Sequence, residues 1–132
     1  MKSKSSLLIL ISCGMLLIAG CSSEGAGGSQ VDEAEQALIQ EGFRVYTTAT
    51  CNTCHSNDGS TLLAPTFKGI LGRETELNDG TKITVDEAYI RESILDSPAK
   101  VVKGYQPMHP SFDGILKPEQ VDAVGNYIKS LK

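Results

Sequence analysis

Five consecutive residues, Cys51-Asn52-Thr53-Cys54-His55, constrain this chain more than any other feature. Two thiols three residues apart share one tight turn, and a histidine follows directly. Several chemistries use such a pair. A thioredoxin-like redox pair expects a βαβ setting, which the rest of the chain does not offer. A zinc site needs four ligands in a tetrahedron, and adjacent Cys54 and His55 converge poorly on one ion. A disulfide between Cys51 and Cys54 closes a small, strained loop. The pattern fits covalent attachment of c-type haem instead. The two thiols add across the vinyl groups of one porphyrin edge, and His55 becomes the proximal iron ligand.

The chain holds four cysteines, and an even count in a short exported protein ordinarily suggests two disulfides. Position argues otherwise. Lys2 and Lys4 precede the apolar run Leu7 to Ala19, which is shorter than the ~20 residues a membrane span needs. Leu17-Ile18-Ala19-Gly20-Cys21 resembles the bacterial lipoprotein signal, in which the cysteine becomes the lipidated first residue. Acyl chains contribute about 0.8 kcal/mol per buried CH₂, so two or three on Cys21 make a stable anchor. Residues 1–20 are therefore expected to be a lipoprotein signal peptide that takes Cys13 with it. Residues 21–31, rich in Ser and Gly, read as a flexible tether reaching about 15–20 Å. The folded domain spans 32–132. With the signal removed, Lys2 and Lys4 go too, and the formal charge falls from −4 to −6.

Hydrophobic residues at 40% and charged residues at 21% argue against wholesale disorder, and the acidic balance excludes a nucleic-acid footprint. Asp32-Glu33-Ala34-Glu35 has the form of a capping box and predicts a helix running through Tyr46. A second box, Thr84-Val85-Asp86-Glu87, opens a helix that Asp96-Ser97-Pro98 ends. Pro118 suits the first turn of a third, with Val121, Val124, Ile128 and Leu131 on one face. Asn78-Asp79-Gly80 allows one hairpin. Long loops join these elements, and with three Phe, four Tyr and no Trp the chain supplies little core for them to pack on. A haem supplies the missing core.

From Gly42 to Lys132 the chain resembles class I monohaem cytochromes c, most of all the cytochrome c domain of caa-type oxidase subunit II. The residues that carry the resemblance are Cys51-Asn52-Thr53-Cys54-His55, Ala64-Pro65-Thr66-Phe67-Lys68-Gly69, Leu71-Gly72-Arg73, Asp86 to Ile94, and Val102-Lys103-Gly104-Tyr105-Gln106-Pro107. The resemblance implies an all-α fold of three to four helices with long loops around one covalent haem. It further implies that the first and last helices cross at Gly42, with Phe43 and Tyr127 packed at the crossing. The Pro65 carbonyl would accept a hydrogen bond from His55 Nδ1, and Arg73 would pair with a haem propionate or remain a solvated loop charge. Tyr105 would wall the site. No ligands for a binuclear copper site accompany the haem motif, so the expectation is a free-standing haem domain on a lipid anchor.

The distal ligand departs from the family pattern. That loop runs Gly-Tyr-x-x-x-Met-Pro, whereas here it is Gly104-Tyr105-Gln106-Pro107-Met108-His109-Pro110. Either His109 occupies the methionine slot and the iron has two histidines, or a one-residue shift brings Met108 to it. Two protein ligands leave no open position for substrate, which points to a single-electron carrier and not an enzyme. The alternative is a haem-based gas sensor or minor peroxidase with a labile distal ligand. Expected partners are a quinol-oxidising complex and a haem-copper oxidase, with the bilayer holding Cys21 at the bacterial cell envelope, periplasmic or on the outer face. An acidic surface favours a basic docking patch, although Lys100 and Lys103 would make the haem rim locally basic.

Overall fold

The computed structural model describes residues 33–132, so the signal peptide, Cys21, the tether and Asp32 of the first capping box lie outside the described residues. Three helices dominate: α1 (Glu33–Thr48), α2 (Glu87–Leu95) and α3 (Pro118–Ser130). The mostly helical reading stands. It is joined by the hairpin that Asn78-Asp79-Gly80 allowed, in which β1 (Glu74–Glu76) pairs antiparallel with β2 (Lys82–Thr84). Among the described residues no helix is long and apolar enough to cross a membrane.

Helix α3 follows its periodicity. Val121, Ala123, Val124, Tyr127 and Ile128 are buried, Pro118 sits in the first turn, and the Lys117 amide donates to the Gln120 side chain (3.0 Å). Helix α1 turns Gly42, Val45 and Tyr46 inward against it. At the crossing a Cβ on Gly42 would lie 2.1 Å from the Ala123 carbonyl oxygen, so hydrogen alone fits there. Phe43 meets Tyr127 edge-on at 5.5 Å, as the resemblance implied. Val45, Tyr46, Val85, Ile90, Val124, Tyr127 and Ile128 form the core.

The second helix begins differently from expectation. Its N-cap is Asp86, whose carboxylate accepts from the Tyr89 amide (2.7 Å), and Thr84 belongs to β2 opposite Glu74. Strand pairing claims Thr84, and an aspartate makes the better cap two residues later. At the other end Pro98 lies in a 3₁₀ turn, Ser97–Ala99, beyond the last α-helical residue.

Candidate functional site

Two residues beyond α1, Thr50 has a φ of 60°, the one positive value among described non-glycine residues. For a β-branched residue this costs about 1–2 kcal/mol, and it swings the chain into a 3₁₀ turn, Cys51–Thr53. The Cys51 carbonyl accepts from the amides of both Cys54 (3.1 Å) and His55 (2.9 Å). This turn places Cys51, Cys54 and His55 on one wall of a cavity of about 650 Å³. Both cysteines are half-buried free thiols, and burial, with Cys54 alongside, pushes the Cys51 thiol up.

His55 is held from three sides. Its Nδ1 donates to the Pro65 carbonyl (2.7 Å), which leaves Nε2 free to bind. The Tyr46 hydroxyl donates to the His55 carbonyl (2.7 Å), and Phe67 stacks on the ring at 4.2 Å and 16°. Burial lowers the pKa of the imidazole, the Pro65 bond opposes this, and the second histidine, His109, lowers it further. The neutral form, the one that ligates metal, is therefore favoured. Pro65 is itself fixed, because Ala64 donates to the Cys54 carbonyl (3.0 Å) and Phe67 to that of Ser56 (2.8 Å).

The opposite wall is the segment 101–110, tied at both ends. On the hairpin side Leu77 bridges Val102, Asn78 donates to the Val101 carbonyl (2.9 Å) and Lys103 to that of Glu76 (2.8 Å). On the helix side the Ser97 hydroxyl donates to the His109 carbonyl (3.1 Å), and the Phe112 amide to that of Ile94 (3.1 Å). The His109 ring lies 5.9 Å from that of His55, with 70° between the planes. Ile70, Ile90, Ile94 and Val102 line the space between the walls.

The donor set suits an iron porphyrin: two thiols at one edge, an oriented imidazole and an apolar interior. Among the described residues no group of three or more His, Cys, Asp or Glu gathers to hold a bare metal ion. The cytochrome c family profile matches residues 39–132, most of the chain. The chain belongs to the cytochrome c family. A similar protein is cytochrome c2 iso-1 of Magnetospirillum fulvum, 34% identical over 92 residues, covering 62% of this chain and 91% of that protein. Membership brings one covalently bound haem c, with Cys51 and Cys54 as its thioether pair, and the electron-carrying chemistry of the family.

In this cytochrome c the remaining expected residues fall unevenly around the site. Arg73 and Tyr105 both line the cavity. Nη2 of Arg73 donates to the carbonyls of Lys68 (2.8 Å) and Gly69 (3.1 Å), leaving Nε and Nη1 without a bond among the described residues. Tyr105 is half-buried, and its carbonyl accepts from Asn78 (3.3 Å). Met108 is 66% exposed. The basic rim expected of Lys100 and Lys103 is largely cancelled, because Lys100 pairs with Glu92 and Lys103 with Glu76 (2.8 Å).

Sequence reasoning assigned no role to Tyr46, Phe67 or Ser97. Phe67 sat inside a quoted motif, two residues after Pro65, and Tyr46 is one helical turn before the Cys51 bend. Ser97 had no local signal, since its partner is twelve residues away.

Proposed function

We propose that this cytochrome c carries single electrons at a membrane surface, between a quinol-oxidising complex and a haem-copper oxidase. The observation that carries the reading is the closure of the cavity on both sides: the chain's two histidines face each other across it. Haem supplies a one-electron couple on its iron. The chain's own groups do the rest. Cys51 and Cys54 would tether one edge of the ring, and His55 Nε2 would ligate. Pro65 holds the His55 tautomer and raises the ring's basicity. A second protein side chain on the far wall would keep substrate off the metal, which favours outer-sphere transfer over catalysis. The unused nitrogens of Arg73 suit a propionate, since guanidinium forks match carboxylates; Tyr105 lies on the same cavity wall.

The finer placement rests on the sequence. Leu17 to Cys21 supports export and lipidation, and the Ser/Gly tether supports a domain confined near the bilayer, which raises its effective concentration at membrane-bound partners. Carrier and bound subunit are two forms of the same role, and the resemblance to the caa-type domain supports the oxidase as acceptor.

Two measurements test this. Redox titration of the purified protein should give one reversible single-electron wave, and carbon monoxide should bind the reduced form slowly. Rapid carbon monoxide binding would overturn the carrier reading in favour of a gas sensor or minor peroxidase. Cys21→Ser should move the holoprotein from the membrane to the soluble fraction, and retention in the membrane would remove the anchor.

A further inference from the structure

We infer that His109, and not Met108, is the second axial ligand, making this a bis-histidine cytochrome c of lowered potential. The inference rests on the haem reading above and deepens it.

Three independent features of the distal wall agree. The first is spacing. Two imidazoles binding one metal from opposite sides, each through a bond of about 2 Å plus the ring's own radius, have centroids roughly 6 Å apart. His55 and His109 stand at 5.9 Å, and their 70° inclination excludes the parallel face-to-face stack in which no nitrogen points between the rings.

The second is the condition of His109 itself. Its Nδ1 is buried and has no hydrogen-bond partner among the described residues, although the ring packs edge-on against Phe112 at 5.7 Å. A histidine kept there for packing alone leaves a polar atom unsatisfied, a penalty that an apolar residue of similar size avoids.

The third is register. Met108 also borders the cavity but is 66% exposed, and for its sulfur to take the place of the His109 ring opposite His55 the loop must slip by one residue. The bonds from Ser97 to His109, Phe112 to Ile94 and Ser111 to Leu95 hold it from one side. Lys103 to Glu76 and Asn78 to Val101 hold it from the other. A slip breaks the nearest of these, while Met108 gains nothing from staying mostly exposed unless the slot is already filled.

Replacing a thioether by imidazole removes the influence that raises the potential of Met/His haems. The test is near-infrared magnetic circular dichroism of the ferric holoprotein, together with its potential. The wild type and Met108→Leu should share a bis-imidazole spectrum without a thioether charge-transfer band. His109→Met should gain that band and titrate at higher potential, and His109→Ala should bind carbon monoxide faster than wild type. A thioether band in the wild type that Met108→Leu abolishes overturns the ligation while leaving the carrier reading intact. A purified protein without haem overturns both.

Discussion

Gly42 shows one hydrogen atom setting the approach of two helices. Propensity favours alanine there by about 0.5–1 kcal/mol. Sterics oppose it, because the new Cβ meets the Ala123 carbonyl at 2.1 Å and Tyr127 Cβ at 2.6 Å, and helix backbone does not rotate aside. Overpacking of this kind costs about 1–3 kcal/mol or more, so the clash wins. Gly42→Ala should lose about 2–3 kcal/mol in denaturant unfolding of the holoprotein; an unchanged midpoint would show that the crossing tolerates a methyl group. Tyr46 works differently. Its hydroxyl satisfies the His55 carbonyl, so Tyr46→Phe should cost about 1 kcal/mol while the haem spectrum keeps its bands. Gly42 was legible through resemblance. The role of Tyr46 was not, because a hydroxyl bonded to a backbone carbonyl nine residues on leaves no periodic trace.

The helices were read well because their apolar spacing is local, and α3 in particular needed no tertiary information beyond Pro118 and its buried face. The start of α2 was misread because two capping patterns overlap, one from Thr84 and one from Asp86. Pairing of Thr84 with Glu74 decides between them, and that partner is ten residues back in the chain. Asp86→Ala should therefore lower stability by about 1 kcal/mol, whereas Thr84→Ala should leave the α2 amides unaffected; hydrogen exchange at Tyr89 separates the two. The hairpin matters as a strut for the distal wall, and its turn is held by Asp79, which accepts from the Thr81 amide (2.8 Å). That bond holds the Asp79 carboxyl below its ordinary value. A carboxylate depressed in the folded state stabilises above its unfolded pKa of about 4, and the contribution is lost as pH falls through the lower native value. Carboxyl NMR titration of the holoprotein should give Asp79 a midpoint below the model-peptide value, and a midpoint at or above it would remove the turn's acid sensitivity.

Taken together, the chain is built around a space. Core residues gather at the α1–α3 crossing, while Phe67, Ile70, Ile94 and Tyr105 face a cavity of about 650 Å³ whose apolar lining needs a partner. A Cys51→Ala, Cys54→Ala protein that fails to retain haem should lose its cooperative thermal transition and much of its far-ultraviolet helical signal. A sharp transition near that of the holoprotein would mean that protein contacts suffice. Electrostatics also belong to the whole surface. With Lys100 and Lys103 paired to glutamates, the rim adds little positive charge to an acidic protein. Exposed charges are screened over about 8 Å at physiological ionic strength. Electron exchange with a basic partner should therefore slow as salt rises, and acceleration by salt would point to an acidic partner instead.

What could be known from the residues alone was the chemistry carried by short spacing: two thiols and a histidine within five residues, helices with local periodicity, and a glycine where two helices meet. Covalent and helical geometry are set within a few bonds or one turn, so the order of residues suffices for them. The choice between Met108 and His109 on the cavity wall lay beyond that reach. No periodicity operates in that loop, and its register is held by bonds to Glu76, Ile94, Leu95 and Ser97, residues that lie far enough along the chain to meet it only once the fold has closed. Folding sets the His109 ring 5.9 Å from that of His55 and leaves Met108 at the exposed rim of the same cavity.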